Sequence, residues 1–201
     1  MTTNIGSERL IALTDGVIAV IITIMVLELK PPHDADLASL RELGPTFLSF
    51  VLSFVYVAIY WNNHHHFFRL VPHVTGAVMW ANLNLLFWLS LIPFTTAWMD
   101  EHGSAPVPVA VYGAVLLLCA LSWYLMQAAI VRAQGPGSPL RRAIGRDLKG
   151  KTTPFVYLLG MACAFVAPVL AYGCYAALAL WWVLPDRRVE TALSRSPGRE
   201  G

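Results

Sequence analysis

Long apolar runs separated by short polar connections set the pattern of this chain. A membrane-crossing helix needs about 20 mainly apolar residues, and runs of that length predict helices at Leu10 to Leu29, Phe47 to Phe68, Val74 to Met99 and Val107 to Val131. The stretch from Thr152 to Leu184 is too long for one crossing and short for two. Pro168 stands in its middle, and a proline there removes a backbone donor and clashes with the preceding turn. Two short helices joined near Val166 to Pro168 are therefore expected. One long kinked helix is the alternative, and it would leave the C-terminus on the other side of the membrane. The resulting expectation is an all-α, polytopic membrane protein. Six transmembrane helices occupy residues 1–185, and a cytoplasmic, disordered tail follows at 186–201.

Composition agrees with that class. Of the 201 residues, 57% are hydrophobic and 13% charged, whereas soluble domains are about a quarter charged; the mean hydropathy is +0.59. The first run is longer than the core of a secretory signal, lacks a small-residue cleavage site and opens on Glu8 and Arg9, so it reads as a retained span. Charge then orients the spans. The connection after the fourth helix carries Arg132, Arg141, Arg142, Arg146, Lys149 and Lys151 against Asp147, which makes it cytoplasmic by the positive-inside rule. The connections holding Asp34, Asp36, Glu42, Asp100 and Glu101 face out. Arg187, Arg188, Arg195 and Arg199 place the tail inside if the last stretch crosses twice. Both termini are then cytoplasmic, in a multi-pass protein of the plasma membrane. The basic connection reads as a topology signal and a contact for anionic membrane lipids, with no nucleic acid as partner.

Ionisable groups at membrane depth are costly and tend to face a bundle interior or a water path. Arg9 can snorkel to the surface, but Asp15 lies about a turn and a half deeper. Six positions put the two roughly 120° apart around the helix, too far for an ion pair, so their partners are expected from other helices or subunits. The end of the second helix, "YWNNHHHFFR", supplies candidates in Trp61, Asn62, Asn63, His64, His65 and His66. Adjacent helical residues point about 100° apart, so the three histidines cannot all bind one ion, and no HExxH spacing is present. The expected role is a hydrogen-bond network open to pH, with a metal site as the alternative. Asn82 and Asn84 add buried amides of the kind that join helices. Cys119, Cys163 and Cys174 lie inside apolar runs and read as packing residues. No nucleophile and base pair stands at membrane depth, so an enzyme is not expected.

In the first helix Val20, Thr23, Ile24 and Leu27 share one stripe, at spacings of three, four and seven. Two readings remain open from spacing. One is an aliphatic packing face with the Thr23 hydroxyl bonded to the backbone at Ala19. The other is a pore wall, in which aliphatic rings block flow by dewetting.

The opening "R-L-I-A-L-T-D", Arg9 to Asp15, resembles the R-x-x-x-F-S-D signature of the endosomal and lysosomal potassium channel family, transmembrane protein 175, with Leu13 in place of Phe and Thr14 in place of Ser. The resemblance extends to "YWNNHHHFF" and to "NLNLLFWLSLIPFTTAWM" from Asn82 to Met99. It implies a potassium-permeable channel built as a homotetramer, with no cofactor and K+ as the permeating ion. It also implies a first helix that lines the central pore with Val20, Thr23, Ile24 and Leu27. Arg9, Leu13, Thr14 and Asp15 would then join Trp61, Asn62, His64, His65 and Asn82 in holding the pore helices near the mouth. Lysosomal members of the family leak protons, which makes Asp15 a candidate carrier here. No TVGYG loop is present, so the preference for potassium over sodium is expected to be modest. A secondary transporter, or a metal-dependent membrane protein using the second-helix histidines, is the alternative function.

Overall fold

In the computed structural model, which describes residues 5–32, 34–71, 73–103, 105–135, 138, 140–141 and 148–183, helices carry most of the described residues. They are α1 (Ser7–Leu27), α2 (Leu37–Glu42), α3 (Gly44–Phe68), α4 (Gly76–Leu89), α5 (Ile92–Glu101), α6 (Pro106–Gln134), α7 (Leu148–Ala164) and α8 (Pro168–Val183). A pair of two-residue strands, β1 (Ile5–Gly6) and β2 (His73–Val74), runs antiparallel and ties the chain just before α1 to the α3–α4 connection. Arg142, Arg146 and Asp147 of the basic connection and the tail 186–201 lie outside the described residues.

Prolines and polar caps punctuate the helices. Pro45, Pro93 and Pro106 sit in the first turns of α3, α5 and α6, where the missing N–H would have had no helical partner. The Asp36 carboxylate caps α2 by accepting from the Ser39 N–H at 2.8 Å, and that bond holds its carboxyl below the ordinary range. Thr75 caps α4, accepting from the Val78 N–H. Helix α6 ends on Gly135 at φ +76°, a conformation that only glycine adopts without strain.

The structure corrects the expectation of a single third helix from Val74 to Met99. That segment is divided into α4 and α5 at Ser90–Leu91. Pro93 offers no N–H to the Leu89 carbonyl, the Leu91 N–H turns to the Trp88 carbonyl at 3.2 Å, and the Ser90 hydroxyl donates to the Phe87 carbonyl at 2.7 Å. At the other end of the chain α7 stops at Ala164 and α8 restarts at Pro168. Helix α8 folds back along α7, since Lys149 Nζ donates to the Trp181 carbonyl at 3.0 Å and Trp182 Nε1 to Thr153 Oγ1 at 2.9 Å.

Four large phenols form the centre. Tyr56, Tyr112, Tyr157 and Tyr175 are fully buried where α3, α6, α7 and α8 meet. Gly113 and Gly160 make room for Tyr175, because a Cβ on either would collide with that ring. The outside of the bundle is apolar instead of polar, with Leu48, Trp80, Phe94, Phe155, Val169 and Leu180 all exposed. A surface of that kind suits lipid and not water. Among the described residues, Ser7–Leu27, Gly44–Phe68, Gly76–Glu101 and Pro106–Gln134 are long and apolar enough to cross a membrane, and Pro168–Val183 is a shorter apolar helix.

Candidate functional site

Helix α1 has two distinct faces. Leu10, Thr14, Ile18, Ile21 and Met25, three or four positions apart, are buried against the rest of the subunit. Opposite them Arg9, Leu13, Gly16, Val20, Thr23 and Leu27 alternate at spacings of four and three and are all exposed, as is Ile24 beside them. Leu27 reaches 79% exposure, Val20 55% and Ile24 42%. The second stripe has the repeat of a helix–helix seam, and no other part of the described subunit covers it. The Thr23 hydroxyl donates to the Val20 carbonyl at 2.9 Å, which replaces the expected bond to Ala19. In a helix both the third and the fourth preceding carbonyl lie within a threonine's reach, and here the nearer turn is taken.

At the N-terminal end of α1, hydrogen bonds join three helices. His64 Nε2 lies 2.9 Å from the Asn82 amide oxygen, and Asn82 Nδ2 donates to Thr14 Oγ1 at 3.0 Å. With the oxygen accepting, His64 carries its proton on Nε2. All three side chains are buried, so the amide satisfies both neighbours where water cannot. The His64 ring also stacks on Phe68, with centroids 4.3 Å apart. A second link lies nearer the surface. Trp61 Nε1 donates to the Asp15 carboxylate at 2.9 Å, and the Trp61 ring lies against His65 at 6.3 Å.

Other candidates stay apart from these links. Asn62 is exposed and makes no hydrogen bond among the described residues, and the same holds for Arg9 and Leu13 at the edge of the outer stripe. His64 turns inward while His65 is exposed, so the neighbouring histidines do not converge, and among the described residues no group of three His, Cys, Asp or Glu side chains is placed to hold a metal. Asn84 bonds Ser122 on α6 at 2.7 Å.

One polar feature was not anticipated from the sequence. Ser49, Ser53, Tyr56, Tyr60 and Asn63 follow one another along α3 at spacings of four and three and face the subunit interior. The Ser53 hydroxyl meets Thr96 Oγ1 at 2.7 Å and the Tyr112 hydroxyl at 3.1 Å, and Tyr56 donates to the Tyr175 carbonyl at 2.7 Å. The signal is an uninterrupted hydroxyl and amide stripe within an otherwise apolar helix.

Comparison with known proteins places this arrangement in a family. Residues 9–93 match the family model described as endosomal/lysosomal potassium channel TMEM175. A protein of Chryseobacterium sp. (strain P1-3), named a potassium channel, is 46% identical over 94% of this chain and 98% of its own length. A mouse protein named an endosomal/lysosomal proton channel is 23% identical over 83% of this chain and 34% of its own. The fold resembles the crystal structure of a lysosomal potassium-selective channel TMEM175 homologue from Chamaesiphon minutus, with a TM-score of 0.78 and 30% identity over 89% of this chain and 96% of that one. The TMEM175 family is one of membrane channels and not of enzymes, and this chain belongs to it.

Proposed function

We propose that this chain forms a potassium-permeable channel in the plasma membrane, with the free face of α1 as the pore wall. The observation that carries this reading is the pair of opposed stripes on α1, one packed into the subunit and one left open with Val20, Thr23, Ile24 and Leu27 along it. Four copies around an axis bring the open stripes together. Residues 1–185 then form the channel, crossing six times, with α4 and α5 making one broken crossing and α7 and α8 two short ones. Both termini and the tail 186–201 face the cytoplasm. Leu27, Ile24 and Val20 form apolar constrictions that stop flow when they dewet.

Selectivity on this wall is modest. Helix carbonyls are committed to the helix and cannot replace the water shell of an ion. The Thr23 hydroxyl gives its proton to Val20, which leaves its oxygen lone pairs for a passing cation. Potassium sheds water more readily than sodium, so it is favoured without sodium being excluded. The Trp61–Asp15 and His64–Asn82–Thr14 links brace α1 at the mouth.

The test is potassium flux into proteoliposomes holding the purified protein, with a protonophore balancing charge, for wild type and Leu27→Ala. Wild-type flux that changes in Leu27→Ala is expected. Flux absent from folded, tetrameric wild type, or indifferent to Leu27, overturns the reading, and saturable coupled uptake would point to a secondary transporter. The name of the mouse relative favours proton conduction as a second activity, with Asp15 at the mouth as its carrier; unchanged proton flux in Asp15→Asn would sink that part alone.

A further inference from the structure

Two of the three cysteines meet across the last helix pair. Cys163 stands one residue before the end of α7 and Cys174 six residues into α8, and both are half-buried. The register of the antiparallel pair brings them together. Gly160 faces the Tyr175 ring, and Cys163 and Cys174 both lie just beyond that contact, on the side of the connecting turn. The Cys174 thiol is within hydrogen-bond reach of the Cys163 thiol, and both are near enough to the Tyr175 phenol to act on it electrostatically. Cys119 stands apart, fully buried on α6. We propose that Cys163 and Cys174 form a redox-active dithiol site, which a lipophilic organic disulfide oxidises to a disulfide bond within the subunit.

The reaction is thiol–disulfide exchange in two steps. One cysteine, as its thiolate, attacks a sulfur of the oxidant, so that a mixed disulfide forms and half of the oxidant leaves as a thiol. The other cysteine then attacks its neighbour's sulfur and displaces the second half. Two S–H bonds and the S–S bond of the oxidant are exchanged for the Cys163–Cys174 bond and two released thiols, which carry away both protons and both electrons. The chain is oxidised and the organic disulfide reduced, with no further reactant.

Backbone approach, proximity and surroundings select that chemistry. A disulfide needs its two Cβ atoms about 3.5–4.5 Å apart. Small buried residues, Gly160 and Ala164 on α7 and Ala171 on α8, let backbones come that close, as in other membrane helix pairs. With the second thiol already beside the first, ring closure is intramolecular and outruns a second attack from solution. Around the turn Phe165, Val166, Val169 and Leu170 are exposed, an apolar surface that admits a lipophilic reagent more readily than a charged one. In the topology proposed above this turn faces out, the side on which disulfides persist; the pairing of the thiols does not rest on that reading.

The experiment treats the purified, reduced full chain in mild detergent with one equivalent of 4,4′-dithiodipyridine and reads released 4-thiopyridone, intact mass and a peptide map. Two thiopyridones per reagent molecule consumed are expected, with a chain lighter by two hydrogens, Cys163 linked to Cys174 in the map, and full reversal by dithiothreitol. Cys163→Ser and Cys174→Ser should each release half as much thiopyridone and keep the rest of the reagent as a stable mixed disulfide. The proposal is overturned if wild type retains the reagent on either cysteine, if its new disulfide joins two chains or involves Cys119, or if neither thiol reacts. Should a serine variant fail to fold, the wild-type map decides by itself. None of these readouts involves ion flux, so their failure and the failure of the channel reading are separate results.

Discussion

Trp61 on α3 holds the Asp15 carboxylate of α1 through its indole N–H at 2.9 Å. The contact joins the second helix of the membrane-length set to the one with a free face, at the end where α1 begins. Trp61→Phe keeps a large ring but removes the donor. A hydrogen bond to a charged group is worth about 1.5–3 kcal/mol when shielded, and Trp61 is 46% exposed, so the loss of stability should fall at or below the lower figure. Unfolding in detergent would measure it. No loss in Trp61→Phe beside a clear loss in Trp61→Ala would mean that ring packing, and not the bond, matters.

Asn82 should be the most sensitive polar position. Asn82→Leu strands both His64 and Thr14 in a buried setting, and an unpaired buried group costs about 1–3 kcal/mol. The triple replacement Thr14→Val, His64→Leu, Asn82→Leu removes every partner at once and should recover much of that loss. Chemical denaturation of the two variants checks the ordering; a triple variant no more stable than Asn82→Leu would show that the stranded His64 and Thr14 are not what costs stability.

Gly113→Ala should destabilise the subunit by about 1–3 kcal/mol, the usual effect of overpacking, because the added methyl meets the Tyr175 ring. Tyr175→Leu in the same background should relieve the clash, though not the loss of the phenol's own contacts. Additive losses in the double variant would refute the collision.

Gly16 offers the opposite case. A Cβ there meets nothing within 4 Å in the subunit, and alanine favours a helix over glycine by about 1 kcal/mol. Gly16→Ala should therefore leave the subunit fold intact or strengthen it. Gly16→Leu should keep the helix but prevent α1 faces from meeting, giving smaller particles by light scattering. A Gly16→Leu protein with wild-type particle mass would remove this face from the subunit contact.

Much of the architecture could be read before any coordinates, and its limits have a physical origin. Apolar runs of membrane length marked the helices around Asp15, His64, Asn82 and Cys119, because a backbone in lipid must bond to itself and only long helices do so here. Pro168 marked a break for the same reason that Pro93 makes one, the loss of a backbone donor; the second was missed because the apolar run continues across it. The resemblance of Arg9–Asp15 singled out a stretch in which Thr14 and Asp15 bond to other helices, yet it could not say that Thr14 would turn toward Asn82 while Asp15 turned toward Trp61.

Periodicity within one helix settles which residues share a face. It settled that Val20, Thr23 and Leu27 lie together and that His64 faces away from His65. Which neighbour each face meets was decided by the tertiary structure alone. These helices are apolar on all sides, so the contrast of wet and dry faces that orients a helix in a soluble protein is absent. Orientation came from the pairing of buried polar groups, such as Ser53 with Tyr112 and Asn82 with Thr14, and from the room that Gly113 and Gly160 leave for Tyr175, both of which depend on helices distant in the chain.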